Sequence, residues 1–384
     1  MRVTLVSRIF SPEPAAASFR LRALTAALAV SGDEVRVLTT TPPPGAPADE
    51  PVPGVEVRRA PVLRDRTGYV RGYASYLSFD VPAFFRVLFG RRADAIVVEP
   101  PPTTGFVVRI AAAIRRVPYV YYAADVWSDA AASTGAPSFV VRTVRAMERF
   151  ALRGAGAVIA VTEGVGERVG ELAPKARVEV VRNGIDTEVF RPVEASVPRA
   201  AVAVYAGTTS EWQGADLFIR AMPAVRARVP EAVLVFLGQG SAWRELEQLA
   251  ATIAPGAVEF HPPVAAAEAS RRLADARAGL VSLKPGIGYD FAVPTKILAT
   301  AATGTPVVLA GPRGPAAEMV RRGALGDAVD YDVHAVAERL AARLADDAPA
   351  AERDDRVRWV RENASAAVSA GRAAAVVRTV GSRR

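Results

Sequence analysis

The sequence predicts an α/β protein made of two doubly wound, Rossmann-like domains that face each other across a cleft. Three observations lead there. Short β-branched runs alternate with segments of helical period along almost the whole chain. The 384 residues exceed what one ordinary core accommodates. A turn-and-proline stretch, VRNGIDTEVFRP at 181–192, interrupts the alternation near its midpoint.

RVTLVS opens the chain as a buried-strand run, residues 18–31 follow with helical period, and EVRVLTT returns to strand. Further strands are expected at DAIVVEP, PYVYYA and AVIAV, with helices near 72–89, 104–116, 140–153 and 163–172. Val178–Val181 reads as the last strand of this half, and Asn183-Gly184 is the turn that stops it. Because the strands are continuously apolar and do not alternate, they belong to a parallel sheet covered on both faces. The second half repeats the theme with AVAVYAG, VLVFLG, AVEF, AGLVSL and PVVLA. Helices fit between them at 214–228, 242–253, 266–275 and 294–303, and two more follow at 334–347 and 355–378. The resulting plan is a first domain over 1–192, a linker over 193–200, a second domain over 201–354, and a helical segment over 355–384 able to pack back on the first domain.

Composition narrows the chemistry. With 51% hydrophobic and 23% charged residues the chain is globular. It has no cysteine, which excludes disulfides, thiolate catalysis and Cys-ligated metals, and its only histidines are His261 and His334. The opening MRVTLVSRIFSPEP is broken by Arg8 and Glu13, unlike a signal peptide, and no apolar run approaches the ~18 residues of a membrane span. A cytoplasmic protein is expected. The net charge of +8 comes from arginines interspersed with acids, without the long basic block of a nucleic-acid binder.

Doubly wound domains bind ligands at the carboxyl ends of their strands. The first strand–helix turn, SRIFSPEPAAAS, lacks G-x-G-x-x-G, and YAGTTSEWQGADLFIRA carries Gly207 and Gly214 without the dinucleotide spacing. A nicotinamide cofactor is therefore not expected.

Four segments in register resemble family 4 glycosyltransferases, the retaining enzymes with the GT-B fold. VRNGIDTEVFRP is similar to their N-G-(V/I)-D-x-x-x-F-x-P signature, and FSPEPAAASFRLRALTAALAVSGDEV to their first loop and helix, with Arg20 at the family's Arg and Asp33 in place of its His. AADVWSDAAASTG and PTKILATAATGTPVV resemble the branch of O-antigen and capsule enzymes that transfer aminosugars. The resemblance implies a hexosyl- or aminosugar transferase. Its substrates are a nucleotide sugar and a glycan, lipid-linked or small-molecule acceptor, and it needs no metal or other cofactor.

A diphosphate donor needs N–H groups and positive charge. Pro294 at the first helical position would leave the amides of Thr295 and Lys296 free at a helix N-terminus, and Lys296 adds a full charge. The resemblance places Thr208 and Gln213, between Gly207 and Gly214, where the family carries an Arg and a Lys. Each such bond to a charged group contributes ~1.5–3 kcal/mol. It also places Phe291 and Ala299 where the family carries paired glutamates; Asp290, one position early, is the available substitute. Gly238, Gly240 and His261 are expected to wall the base pocket, with a purely structural histidine after a strand as the alternative for His261. On the acceptor side, Asp125 and Trp127 follow a strand, as a base or hydroxyl-orienting group and a sugar platform, or else as a helix N-cap and a core indole. Glu99 ends another strand. Ser18 closes the small loop AAAS and Arg20 follows it, with the alternative of pairing with a neighbouring acid.

Residues 64–92 interleave arginines with Tyr and Phe, a pattern that fits either a peripheral contact with the inner face of a membrane or an amphipathic helix packed on the first domain. Two other readings of the whole chain stay open: a scaffold with a degenerate donor site, and a nucleotide-sugar epimerase of the same fold.

Overall fold

A computed structural model describes the chain apart from residues 14, 44–50, 66–69, 71, 134–135, 194–198, 288–289, 291 and 383–384. It divides into two compact units, Met1–Asn183 with Ser369–Arg384, and Gly184–Val368.

The first unit runs β1 (Arg2–Val6), α1 (Ala16–Val30), β2 (Glu34–Thr40), β3 (Val55–Ala60), α2 (Tyr73–Phe89), β4 (Ala95–Val98), α3 (Pro102–Arg115), β5 (Tyr119–Ala123), α4 (Trp127–Ser133), α5 (Ser138–Gly154), β6 (Ala157–Ala160), α6 (Glu163–Leu172) and β7 (Val178–Val180). The strands pair in parallel in the order β3-β2-β1-β4-β5-β6-β7. One face is covered by α2, α3, α5 and α6 through Phe79, Ala83, Val108, Leu152 and Val169. The other face packs on Leu21, Leu24 and Leu28 of α1 and on Ala373, Val377 and Val380 near the end of the chain. Full burial of each such aliphatic side chain contributes about 1.5–3 kcal/mol.

The second unit runs β8 (Val202–Ala206), α7 (Asp216–Arg228), β9 (Val233–Leu237), α8 (Trp243–Ile253), β10 (Val258–His261), α9 (Ala266–Ala274), β11 (Ala278–Ser282), α10 (Thr295–Ala302), β12 (Val307–Ala310), α11 (Pro315–Arg322), β13 (Gly326–Val329), α12 (Val333–Ala345) and α13 (Ala350–Asn363). Its parallel order is β10-β9-β8-β11-β12-β13. α14 (Ala366–Ser382) begins here and continues into the first unit. In both sheets the winding reverses beside the first strand, between β1 and β4 and between β8 and β11. These are the two points at which the topology opens a crevice for a ligand.

Several sequence expectations are corrected. The division falls at Asn183/Gly184 and not after Pro192, because Ile185 is already held in the second unit: its N–H donates to Ala364 O at 2.9 Å, and its carbonyl accepts from Ala366 N at 2.7 Å. The same pairing breaks the helix expected over 355–378 into α13 and α14, with Ala364 turned to φ −142°. β3 and β13 are edge strands whose short polar sequences, VEVRRA and GDAV, lack the apolar run of a central strand. Of the expected linker over 193–200, residues 194–198 lie outside the described residues. Among the described residues no helix is long and apolar enough to cross a membrane.

Candidate functional site

Beside the reversal point of the second unit, β8 ends at Ala206 and its other neighbour β9 at Leu237, and the two following turns interlock. Gly207 N–H donates to Leu237 O at 2.7 Å and Thr209 N–H to Gln239 O at 2.9 Å. The approach is so close that a Cβ at Gly238 would lie 2.2 Å from Gly207 O, and one at Gly240 1.9 Å from Thr209 O. Only glycine fits at either position, and Gly238 also holds φ +150°.

Lys296 reaches this turn from α10. Its Nζ donates to Thr208 O at 2.7 Å and stands 3.8 Å from the centre of the Tyr205 ring, a cation–π contact. It pairs with no acid among the described residues. Burial lowers its pKa from the ordinary lysine value of 10.5 to about 7. The helix starts one residue later than the sequence suggests. Pro294 is the N-cap, with ψ 131°, because its carbonyl accepts from Ile297 N. Thr295 and Lys296 therefore supply the first amides of α10, which have no carbonyl within the helix to bond.

Gln213 is anchored within its own turn through its carboxamide oxygen. That oxygen accepts from Tyr205 Oη at 3.2 Å and Ser210 N at 3.0 Å, closing the single turn Glu211–Gln213. The residue is buried and holds the ring over which Lys296 lies. Asp290 is exposed, and its Oδ1 accepts from Gly286 N at 3.1 Å. Phe291 lies outside the described residues; Ala299 packs against the apolar cluster of β8 and β9. His261 sits at the end of edge strand β10, with Nε2 3.2 Å from Glu259 Oε2 and its carbonyl accepting from Gly238 N. The structure thus gathers Gly207, Thr208, Gly238, Gly240 and Lys296 with Thr295 and Pro294, and leaves Asp290 in a loop of its own.

At the reversal point of the first unit, Arg20 and Glu99 are each other's partners. Glu99 Oε1 accepts from Arg20 Nη2 and its Oε2 from Ser7 Oγ at 2.9 Å. Arg20 also reaches Asn183 Oδ1 at 3.5 Å and lies 5.1 Å from the Tyr122 ring centre. Burial pushes the Glu99 carboxyl up, while Arg20 and Ser7 pull it down. Ser18 Oγ is buried, with no hydrogen-bond partner among the described residues.

Asp125 follows β5 and is exposed along its length, yet crowding around its carboxyl raises its pKa against the pull of Arg20. It does not cap α4. Glu148 of α5 does, accepting from Trp127 N at 2.8 Å and Ser128 N at 3.1 Å. The Trp127 indole meets Tyr76 edge-on at 6.0 Å, and the Arg8 guanidinium lies 4.8 Å from the centre of that tyrosine ring. Sequence reasoning passed over Ser7, Tyr205 and Glu148. Ser7 had one signal, a polar residue ending an apolar strand, and Glu148 another, a lone acid in an arginine-rich helix. Among the described residues no three His, Asp or Glu side chains cluster as a metal site would need.

Two doubly wound parallel sheets, each with its reversal point, define a GT-B-type protein. The chain belongs to the family 4 glycosyltransferases: the profile of a glycosyl transferase 4-like domain matches residues 16–184, and that of the glycosyl transferases group 1 domain matches residues 200–346. It is similar to a D-inositol 3-phosphate glycosyltransferase of Nocardioides sp., 35% identical over 41% of this chain and 38% of the relative. It is also similar to a GDP-mannose-dependent alpha-(1-6)-phosphatidylinositol monomannoside mannosyltransferase of Mycolicibacterium smegmatis, 32% identical over 45% of this chain and 48% of the relative. The matched stretches thus span less than half of each curated relative. In fold the chain resembles a sucrose-phosphate synthase of Thermosynechococcus elongatus, with TM-score 0.70 at 19% identity, covering 99% of this chain and 98% of that one.

Proposed function

We propose that this chain is a retaining glycosyltransferase that moves a hexosyl or aminosugar group from a nucleoside-diphosphate sugar to a hydroxyl of a glycan, lipid-linked or small-molecule acceptor, working on the cytoplasmic side. The observation that carries this reading is Lys296. An ammonium group with no carboxylate partner among the described residues, held on Thr208 O beside the first amides of α10, is arranged for an anion that those residues do not supply. The GDP-mannose dependence of the Mycolicibacterium relative supports a nucleoside-diphosphate sugar as that anion.

In this reading the acceptor oxygen bonds to the anomeric carbon as the bond from that carbon to the diphosphate oxygen breaks. The electron pair departs on the diphosphate, and the acceptor proton passes to the same oxygen. Attack from the face the diphosphate leaves retains the anomeric configuration. The chain's own work is positioning and charge stabilisation: Lys296 and the amides of Thr295 and Lys296 hold the diphosphate, Gln213 and Tyr205 hold Lys296, and Asp125 orients a hydroxyl. Lys296 supplies the cation, so no metal is called for, and turnover is expected to survive a chelator.

The test is a thermal-shift series with UDP, GDP, dTDP, ADP and CMP on the full chain and on Lys296→Ala. A nucleotide at 100 times its Kd stabilises by ~2.7 kcal/mol. One diphosphate is expected to raise the wild-type Tm and leave the variant unmoved. If none acts on the wild type at millimolar concentration, the donor site is degenerate and the proposal fails.

A further inference from the structure

The helices α2, α3 and α5 lie side by side on one face of the first sheet, and their outward surfaces are not those of ordinary soluble helices. On α2, Leu77, Val81, Phe85 and Phe89 follow one another at four-residue spacing and are 51%, 47%, 50% and 77% exposed. The Phe85 and Phe89 rings stack 6.1 Å apart. Ile114 near the end of α3 and Phe139 and Phe150 on α5 are exposed too. Seven of the twelve large apolar side chains exposed among the described residues therefore stand on these three helices. Single exposed apolar residues need no explanation; a patch does.

The charges on the same helices are one-sided. α3 carries no acid, and α2 and α5 carry one each, Asp80 and Glu148. Both are buried and engaged, Asp80 by Thr104 Oγ1 at 2.5 Å and Glu148 by the amides that open α4. Of the basic residues, Arg86 and Arg115 are half-buried on backbone carbonyls, and three on α5 are exposed. Arg142, Arg149 and Arg153 recur along one side of α5, exposed and without an ion pair among the described residues. The Arg109 guanidinium lies 3.9 Å from the centre of the Phe150 ring, so cation and aromatic share one patch.

We propose that this face docks reversibly on a bilayer that carries anionic phospholipids. The stripe of Leu77, Val81, Phe85 and Phe89 enters the boundary between headgroups and acyl chains, and Arg142, Arg149 and Arg153 lie on the phosphates. Charge selects this occupant. A second copy of the same face would set arginine against arginine, whereas an anionic bilayer supplies an apolar layer and a negative plane together. The inference does not rest on the transferase reading, since docking is measured without donor or acceptor.

The experiment floats the full chain with vesicles of phosphatidylcholine, alone or with phosphatidylglycerol as the minor lipid, at low and high salt. Binding is expected to the anionic vesicles at low salt, to weaken as salt screens the charges, and to be absent from the neutral ones. Each basic residue at such a surface strengthens partitioning about fivefold. The triple variant Arg142→Gln, Arg149→Gln, Arg153→Gln is therefore expected to bind about a hundredfold more weakly. Phe85→Ser with Phe89→Ser, at exposed positions, tests the apolar stripe separately, and circular dichroism checks that both variants are folded. The proposal is overturned if the wild type ignores anionic vesicles or if both folded variants bind as it does. It is equally overturned if light scattering shows a dimer that Phe85→Ser with Phe89→Ser returns to monomer.

Discussion

The two reversal points share one topology and treat charge in opposite ways. Beside β1 and β4, Arg20 and Glu99 neutralise each other within the protein, with Ser7 completing the carboxylate's bonds. Beside β8 and β11, Lys296 has, among the described residues, a carbonyl and an aromatic ring for company and no carboxylate. A satisfied ion pair offers polar edges to a neutral, hydroxyl-rich molecule and holds its own loops in place. An unsatisfied ammonium is strained by its desolvation until an anion arrives. The same strand order thus yields one place where a buried ion pair is complete and one where a cation waits on an anion, the contrast on which the proposed division into acceptor and donor sites rests. The difference lies in whether the protein carries the counter-charge itself.

Breaking the satisfied pair is the largest perturbation. Glu99→Ala leaves Arg20 buried without its carboxylate and is expected to lower unfolding stability by about 3–5 kcal/mol in urea melts. Arg20→Met with Glu99→Leu should recover much of that, because removing both charges leaves none unpaired. A Glu99→Ala protein within 1 kcal/mol of the wild type, roughly the value of an exposed pair, would show that the pair does not hold this region.

An intermediate effect is expected at the interlocked turns. Gly238→Ala drives a methyl group into Gly207 O and should destabilise by about 1–3 kcal/mol, seen as a lower Tm. It should also weaken nucleotide binding, since Thr208 moves with Gly207. A variant as stable as the wild type would mean that the turns can separate, and that the placement of Lys296 does not depend on them.

The pH dependence sharpens the contrast. Lys296 has a folded-state pKa of about 7 against an ordinary 10.5. Between these values the unfolded chain binds the extra proton, so stability should rise with pH across that window. Below about pH 7 the cost of the buried charge is present in full. Lys296→Met should abolish the rise. Donor binding should run the other way: affinity for the sugar nucleotide, whose diphosphate does not titrate there, falls by up to about tenfold per pH unit above neutrality, or ~1.4 kcal/mol. Affinity that is flat with pH would remove Lys296 from the donor contact.

The central strands were legible in the sequence because each is an apolar run that only a doubly covered parallel sheet accommodates. Edge strands β3 and β13 were not, since they bury little and their sequences resemble loops. Lys296 was legible from a proline, a threonine and a charge at a helix start. The role of Gln213 was not. Nothing in its spacing distinguishes a side chain turned toward a ligand from one turned inward to Tyr205, 8 residues before it in the chain.

The sequence by itself determined the fold class and the family, because periodicity and residue type are local properties. Tertiary structure decided which charges meet. Arg20 and Glu99 stand 79 residues apart and Lys296 lies 88 residues from Thr208. Whether such groups find a partner or remain alone depends on how the strands are ordered in each sheet, which no local pattern of residues encodes.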